Sequence, residues 1–214
     1  MTAQHANTDQ PKRRGTKRTV LLALLCVAAL AGAGLTAAFT TQNLTADNVI
    51  SFGSVKLQIV ETEQLDDGTV RTVPNNEEVK AQAGVASRIV EFKNVGASDL
   101  YVRAQPHMAV QAADGTDRGE AGSVVEFAMD QTGAWTQGED GWWYYNEPVS
   151  ADAQAQGNIT DPLMTGIEFV GDFYSVAGPG GKFVFTVDAQ AVQVDNNGTS
   201  AQTAKGWPGE GEQN

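Results

Sequence analysis

Leu100-Tyr101-Val102-Arg103-Ala104-Gln105-Pro106-His107-Met108-Ala109-Val110 is the stretch on which the fold turns. In an extended chain Leu100, Val102, Ala104, Met108 and Val110 share one face, and Tyr101, Arg103, Gln105 and His107 share the other. A period of two held over this length marks a half-buried strand. Pro106 has no N–H for a ladder, so the spacing predicts an edge strand or a bulge at that point.

The same period recurs on both sides of this stretch. Val55, Leu57 and Ile59 alternate with Lys56 and Gln58. Asp66-Asp67-Gly68 signals a turn, and residues 69–73 return as a hairpin partner closed by Pro74-Asn75-Asn76. Residues 89–95 form a further strand, ended by Asn94-Val95-Gly96. Val125, Phe127 and Met129 alternate, Asp140-Gly141 turns into Trp142-Trp143-Tyr144-Tyr145, and residues 167–174 are apolar. After the turn at Gly178-Pro179-Gly180-Gly181 comes a long strand with Phe183, Phe185, Val187, Ala189 and Ala191 in one phase. Val192 and Val194 follow in the opposite phase, which predicts a bulge near Ala191. Many short strands at even spacing, without an amphipathic helix of useful length, predict an all-β fold: a β-sandwich or jelly roll over residues 39–195. Past Asp195 the chain is rich in Asn, Gly, Ser, Gln and Glu, so residues 196–214 read as a mostly disordered tail with Trp207 as its one anchor.

Residues 1–38 read as a signal peptide helix. Lys12, Arg13, Arg14, Lys17 and Arg18 precede an uncharged apolar run from Thr19 to Leu35, which closes on Thr36-Ala37-Ala38. A basic region, an apolar core and a small-x-small site predict cleavage between Ala38 and Phe39, and hence a protein secreted to the cell surface or beyond. The competing reading is a retained anchor, since the run is close to the shortest span for a membrane helix. On the cleavage reading, contact with the membrane is confined to the leader before it is removed.

The chain carries 14 basic and 26 acidic residues, a formal charge of −12. Removal of the leader takes five basic residues and Asp9, leaving 9 basic against 25 acidic residues, or −16. Such a surface repels phosphate backbones and anionic lipids, so nucleic acid is a poor candidate partner. The one cysteine, Cys26, lies in the leader behind Leu25, where a lipoprotein signal needs a small residue. The remainder has no disulfide and relies on its core, which is feasible at this length.

Catalytic constellations are scarce. Beyond the leader there is a single histidine, His107, and no H-E-x-x-H or G-x-S-x-G motif. The glycine turn at 178–181 lacks the lysine of a phosphate loop. No catalytic, cofactor-binding or metal-ligating residue is assigned, and no cofactor is expected. Trp135 and the aromatics at 142–145 suit either a sugar-stacking platform or a core split between two faces, and the alternation favours the core. Asp66-Asp67 and Asp114-Gly115-Thr116-Asp117 lack EF-hand spacing and read as solvated turns. Sequons occur at Asn43, Asn158 and Asn197.

Several blocks resemble the TasA/camelysin family. Gly34-Leu35-Thr36-Ala37-Ala38-Phe39-Thr40 is similar to its G-x-T-x-A-x-F-[ST]-D export junction, one spacer shorter and with Thr41 in place of Asp. Asn48-Val49-Ile50-Ser51-Phe52-Gly53-Ser54-Val55 resembles its first strand. Asn94-Val95-Gly96 with Tyr101-Val102-Arg103, Asp140 to Tyr145 with Thr160-Asp161-Pro162-Leu163, and Ala191-Val192-Gln193-Val194 with Gly206-Trp207 resemble its later blocks, in order. The resemblance implies a jelly roll, export through a SipW-type signal peptidase, and fibres of a bacterial biofilm matrix or cell surface. Some members carry a metalloprotease label, for which this chain offers no ligand set.

The expectation is therefore a secreted, non-enzymatic structural protein that self-associates into filaments. The alternatives are a camelysin-like surface metalloprotease and a monomeric carbohydrate-binding or adhesive module. Cleavage would free a terminus carrying Phe39, Leu44, Val49 and Ile50, apolar groups that need a cover. Residues 39–50 are expected to add as a donor strand to the next subunit. The alternative is that they pair within their own domain.

Overall fold

The computed structural model describes residues 49–52, 54–73, 79 and 84–208. The leader, the junction at Ala38 and Phe39, Leu44 and residues 209–214 lie outside the described residues. Within them the chain is mostly strand, with one short helix and three single 3₁₀ turns.

The first sheet is built on β2 (Val55–Gln64). Its alternating apolar residues put Val55 and Leu57 inside, and its turn is held by Asp67, whose Oδ1 accepts the Thr69 N–H at 2.9 Å and hydroxyl at 2.6 Å. One edge of β2 pairs with β4 (Gly84–Asn94), from Leu57↔Asn94 to Thr62↔Ile89. The other edge carries β1 (Val49–Phe52) at its start and β3 (Val70–Thr72) at its end. Beyond β4 the sheet continues through main-chain bonds from Thr160 to Phe92 (3.0 Å) and from Leu163 to Val90 (2.8 Å). These lead into β10 (Met164–Phe169), which pairs with β7 (Val125–Met129).

The second sheet is built on β5 (Leu100–Gln111). Along its full length it pairs with β11 (Lys182–Gln193). Its other edge is shared by β9 (Trp143–Tyr145) and β6 (Asp117–Glu120), and β8 (Trp135–Gln137) extends the sheet from β9. Every pairing is antiparallel. Asp172 caps the short helix α1 (Phe173–Ala177), accepting the Ser175 N–H and hydroxyl.

The two sheets face each other across one apolar core, a β-sandwich-like arrangement. Leu57, Val90, Phe92, Met164 and Ile167 of the first sheet meet Val102, Ala104, Met108, Val110, Phe183 and Ala191 of the second. Phe92 meets Trp135 edge-on at 5.6 Å, and Phe169 meets Phe183 at 4.9 Å. The face expected to be apolar in residues 100–110 is the one that lines this core.

Three expectations need correction. Residues 100–110 form a central strand, not an edge. Pro106 is tolerated because it sits between β9, which ends its pairing at Ala104, and β6, which begins at Ala109. The register with β11 shows no irregularity, so there is no bulge near Ala191. The phase change there has another cause: Ala191 faces the inter-sheet core, while Val192 faces a second cluster on the opposite side of the sheet. That cluster contains Ala201, Ala204 and Trp207, all buried. Residues 196–208, expected as part of a disordered tail over 196–214, are instead laid against the outer face of β5, with a 3₁₀ turn at Ala201–Thr203.

Candidate functional site

Alternation places Arg103 on the outer face of β5, where an arginine ordinarily meets water. Here it is only 3% exposed, because the C-terminal segment crosses above it. Its guanidinium lies between two indoles, 4.7 Å from the Trp142 ring and 4.7 Å from the Trp207 ring. Nε donates to Gln190 Oε1 on β11 at 2.8 Å, and Nη1 donates to the Tyr144 hydroxyl on β9 at 3.0 Å. Asp140 Oδ2 lies 3.6 Å from Nη1 and accepts the Tyr144 O–H at 2.6 Å. Asp140 Oδ1 also accepts the Trp142 N–H at 3.2 Å, which sets the turn at Gly141.

Each contact has a local origin. Gln190 lies opposite Arg103 in the β5–β11 register, and Tyr144 lies opposite it in the β5–β9 register. Trp207 arrives from the C-terminal strap, which is pinned by the Lys205 N–H on Asn197 Oδ1 at 2.8 Å and the Val194 N–H on the Asp99 carbonyl at 2.9 Å. Cation–π contacts of a desolvated arginine contribute about 2 kcal/mol. Burial, then the Asp140 hydrogen bond, push the Tyr144 hydroxyl above its ordinary range, against the pull of Arg103. A permanent cation lies between two indoles, and the one carboxylate of the cluster, Asp140, is engaged by the Tyr144 hydroxyl and the Arg103 guanidinium. The cluster is a clasp that holds the strap to the sheet.

The remaining blocks also do packing work. Asn94 Nδ2 donates to the carbonyls of Ser98 (2.8 Å) and Val149 (3.0 Å), and its Oδ1 accepts the Gly96 N–H at 2.8 Å. A Cβ on Gly96 would lie 2.4 Å from the Ser54 carbonyl oxygen, so only glycine allows the approach to that strand. Asn158, one of the sequons, is buried and donates to the carbonyls of Asn94 (2.8 Å) and Ser150 (2.9 Å). Thr160 Oγ1 accepts the Phe92 N–H, and the Asp161 carbonyl accepts the Trp135 indole N–H, each at 3.0 Å.

The aromatic run divides as alternation requires. Trp143 and Tyr145 pack on the inter-sheet core with Trp135, and Trp142 and Tyr144 pack on the strap cluster. Tyr144 and Tyr145 are buried, and Trp142 and Trp143 are partly buried. The acidic turns use their carboxylates on their own backbone: Asp114 Oδ1 accepts the Thr116 N–H at 2.9 Å, and Asp117 Oδ1 accepts the Gly119 N–H at 2.7 Å. Among the described residues no three His, Cys, Asp or Glu side chains converge as a metal site.

Two ionic groups lie apart from the clasp. His107 has Asp188 Oδ2 3.4 Å from Nε2 and Glu120 Oε1 3.7 Å from Nδ1. Carboxylates at opposite ring nitrogens suit an imidazolium and cannot share one metal ion with it. On the inner phase of the first sheet, buried Arg88 has Glu61 Oε2 3.6 Å from Nη1, and its Nε has no partner. Burial raises the Glu61 carboxyl more than Arg88 lowers it, so the pair is held against its own desolvation.

Of the expected donor strand, Val49 and Ile50 fall in β1, where they pair with Gln58 and Leu57 of their own chain. Phe39 and Leu44 lie outside the described residues. Asp140 reads in the sequence as the start of a turn, and Gln190 is not singled out there. The signals for the strap were Val192 and Val194 out of phase and a lone tryptophan in a polar segment. No family model matches the chain, and no match is found among curated proteins or solved structures.

Proposed function

We propose that this chain is a secreted structural protein with a jelly-roll sandwich that assembles outside the cell into fibres of a bacterial matrix or surface. It is not an enzyme. A SipW-type peptidase removes the leader between Ala38 and Phe39, and the freed arm pairs with the next subunit. The observation that carries the reading is the position of β1. It takes in Val49 and Ile50, the last two residues of the expected arm, and, among the described residues, hydrogen-bonds a sheet strand on one side only. An edge strand of this kind offers a row of N–H and C=O groups on its open side, where backbone from another copy can add. Each arm that docks on another copy leaves one more arm free, so the contact does not close and a filament grows.

The test compares the chain beginning at Phe39 with one beginning at Ser51, by light scattering and electron microscopy. The proposal expects filaments from the first alone. Filaments from both, or from neither across a range of pH and concentration, would refute the donor role of residues 39–50. Sequencing the N-terminus of secreted material checks the cleavage separately.

A further inference from the structure

We propose that His107 is a proton-operated clamp for strand β6: its imidazolium ties Glu120 of β6 to Asp188 of β11 across β5, and its neutral form lets β6 lift from the Ala109–Gln111 edge. The proposal stands on the single chain and does not depend on fibre formation.

The geometry places one ring between two carboxylates on the two flanking strands. Asp188 Oδ2 is 3.4 Å from Nε2, and Glu120 Oε1 is 3.7 Å from Nδ1. An imidazolium carries an N–H on each nitrogen and serves both. A neutral imidazole has one N–H, and its other nitrogen turns a lone pair toward a carboxylate. Loss of the proton therefore converts one attraction into a repulsion, and Glu120 and Asp188 are left as two unneutralised charges across one strand.

The strand that responds is the weakly held one. β6 has four residues, all exposed. It pairs with β5 only at Ala109↔Glu120 and Gln111↔Asp117, with an irregular register between them. β11 is paired along the whole of β5, so it is the more firmly held of the two flanking strands. The other charged groups on this face are, by register, Lys182 opposite Gln111 on β11 and Asp117 on β6, and, towards the other end of β5, Arg103 with Asp140 3.6 Å from it. Arg118 is directed elsewhere, its Nη1 3.3 Å from the Val176 carbonyl. The Asp188 hydrogen bond, aided by the charges of Asp188 and Glu120, raises the His107 ring above its ordinary value near 6.5, against burial. A histidine raised in the folded state contributes stability that is complete below its unfolded value and is lost as pH rises through the folded value. Lifting β6 uncovers backbone groups of β5 from Ala109 to Gln111, an edge able to accept an added strand.

The test follows amide exchange at Ala121, whose N–H donates to the Met108 carbonyl at 2.7 Å where β6 ends. Exchange is measured on the full chain and corrected for intrinsic rate. Its protection should fall roughly two- to five-fold between about pH 5.5 and about pH 8.5, the range for an exposed ion pair. Protection at Val170, bonded to the Val124 carbonyl, should stay level. His107→Gln and Glu120→Gln should each abolish the pH step at Ala121. The imidazole resonance lost in His107→Gln should titrate above 6.5 in the parent. A ring titrating at or below 6.5, a level profile in the parent, or a step that survives in His107→Gln would each overturn the clamp.

Discussion

Trp207→Ala should remove the clasp and cost about 3 kcal/mol of unfolding free energy. The side chain is 3% exposed. A buried tryptophan removes 150–250 Å² from water, about 4–6 kcal/mol at ~25 cal/mol per Å². That figure is an upper bound, because the unfolded chain already hides part of its surface. The indole Nε1 has no hydrogen-bond partner, a cost of about 1–3 kcal/mol that the wild type already bears and the alanine variant escapes. The Arg103 contact adds up to about 2 kcal/mol on the other side. The opposing contributions bring the expectation to the lower end of tryptophan-to-alanine losses. Trp207→Phe separates them: it keeps most of the apolar area, removes the orphan N–H, and should lie within about 1.5 kcal/mol of wild type. Both variants are read by urea denaturation, followed by far-ultraviolet circular dichroism so that the lost fluorophore does not matter. A Trp207→Ala loss below about 0.5 kcal/mol, the level of an ordinary surface substitution, would refute the packed strap.

Gly96→Ala drives a methyl into the Ser54 carbonyl and the Lys56 amide, so a thermal melt should show a loss of about 2 kcal/mol or more. Asn158→Ala strips donors from two carbonyls and should cost about 1–3 kcal/mol in the same assay. Glu61→Leu alone should lose about 3 kcal/mol by leaving Arg88 unpaired, whereas Glu61→Leu with Arg88→Met should recover wild-type stability or exceed it in urea titrations.

Much of the second sheet was legible in residues 100–110, because alternation is a property of the extended backbone and needs no partner to be seen. Which residues of that stretch point inward follows from period two alone, and all five expected there are buried. The turn at Asp66-Asp67-Gly68 and the division of the aromatics at 142–145 were readable for the same local reason. Neighbours across space were not readable. Pro106 carries the same local chemistry in an edge strand and beside a gap between two short partners, so only the pairing of β6 and β9 distinguishes the cases. Val192 and Val194 out of phase look like a bulge or like a second buried face, and the fold chose the second by bringing back a segment whose own composition is polar. Local composition establishes that a segment cannot form a core alone. It does not say whether one tryptophan in it will meet an arginine 104 positions earlier, because that contact rests on the register of β5 against β9 and β11. The period of the strands was determined by the sequence by itself; the clasp on Arg103 and the carboxylates on either side of His107 were decided by tertiary structure, since burial and charge pairing act between groups distant in the chain.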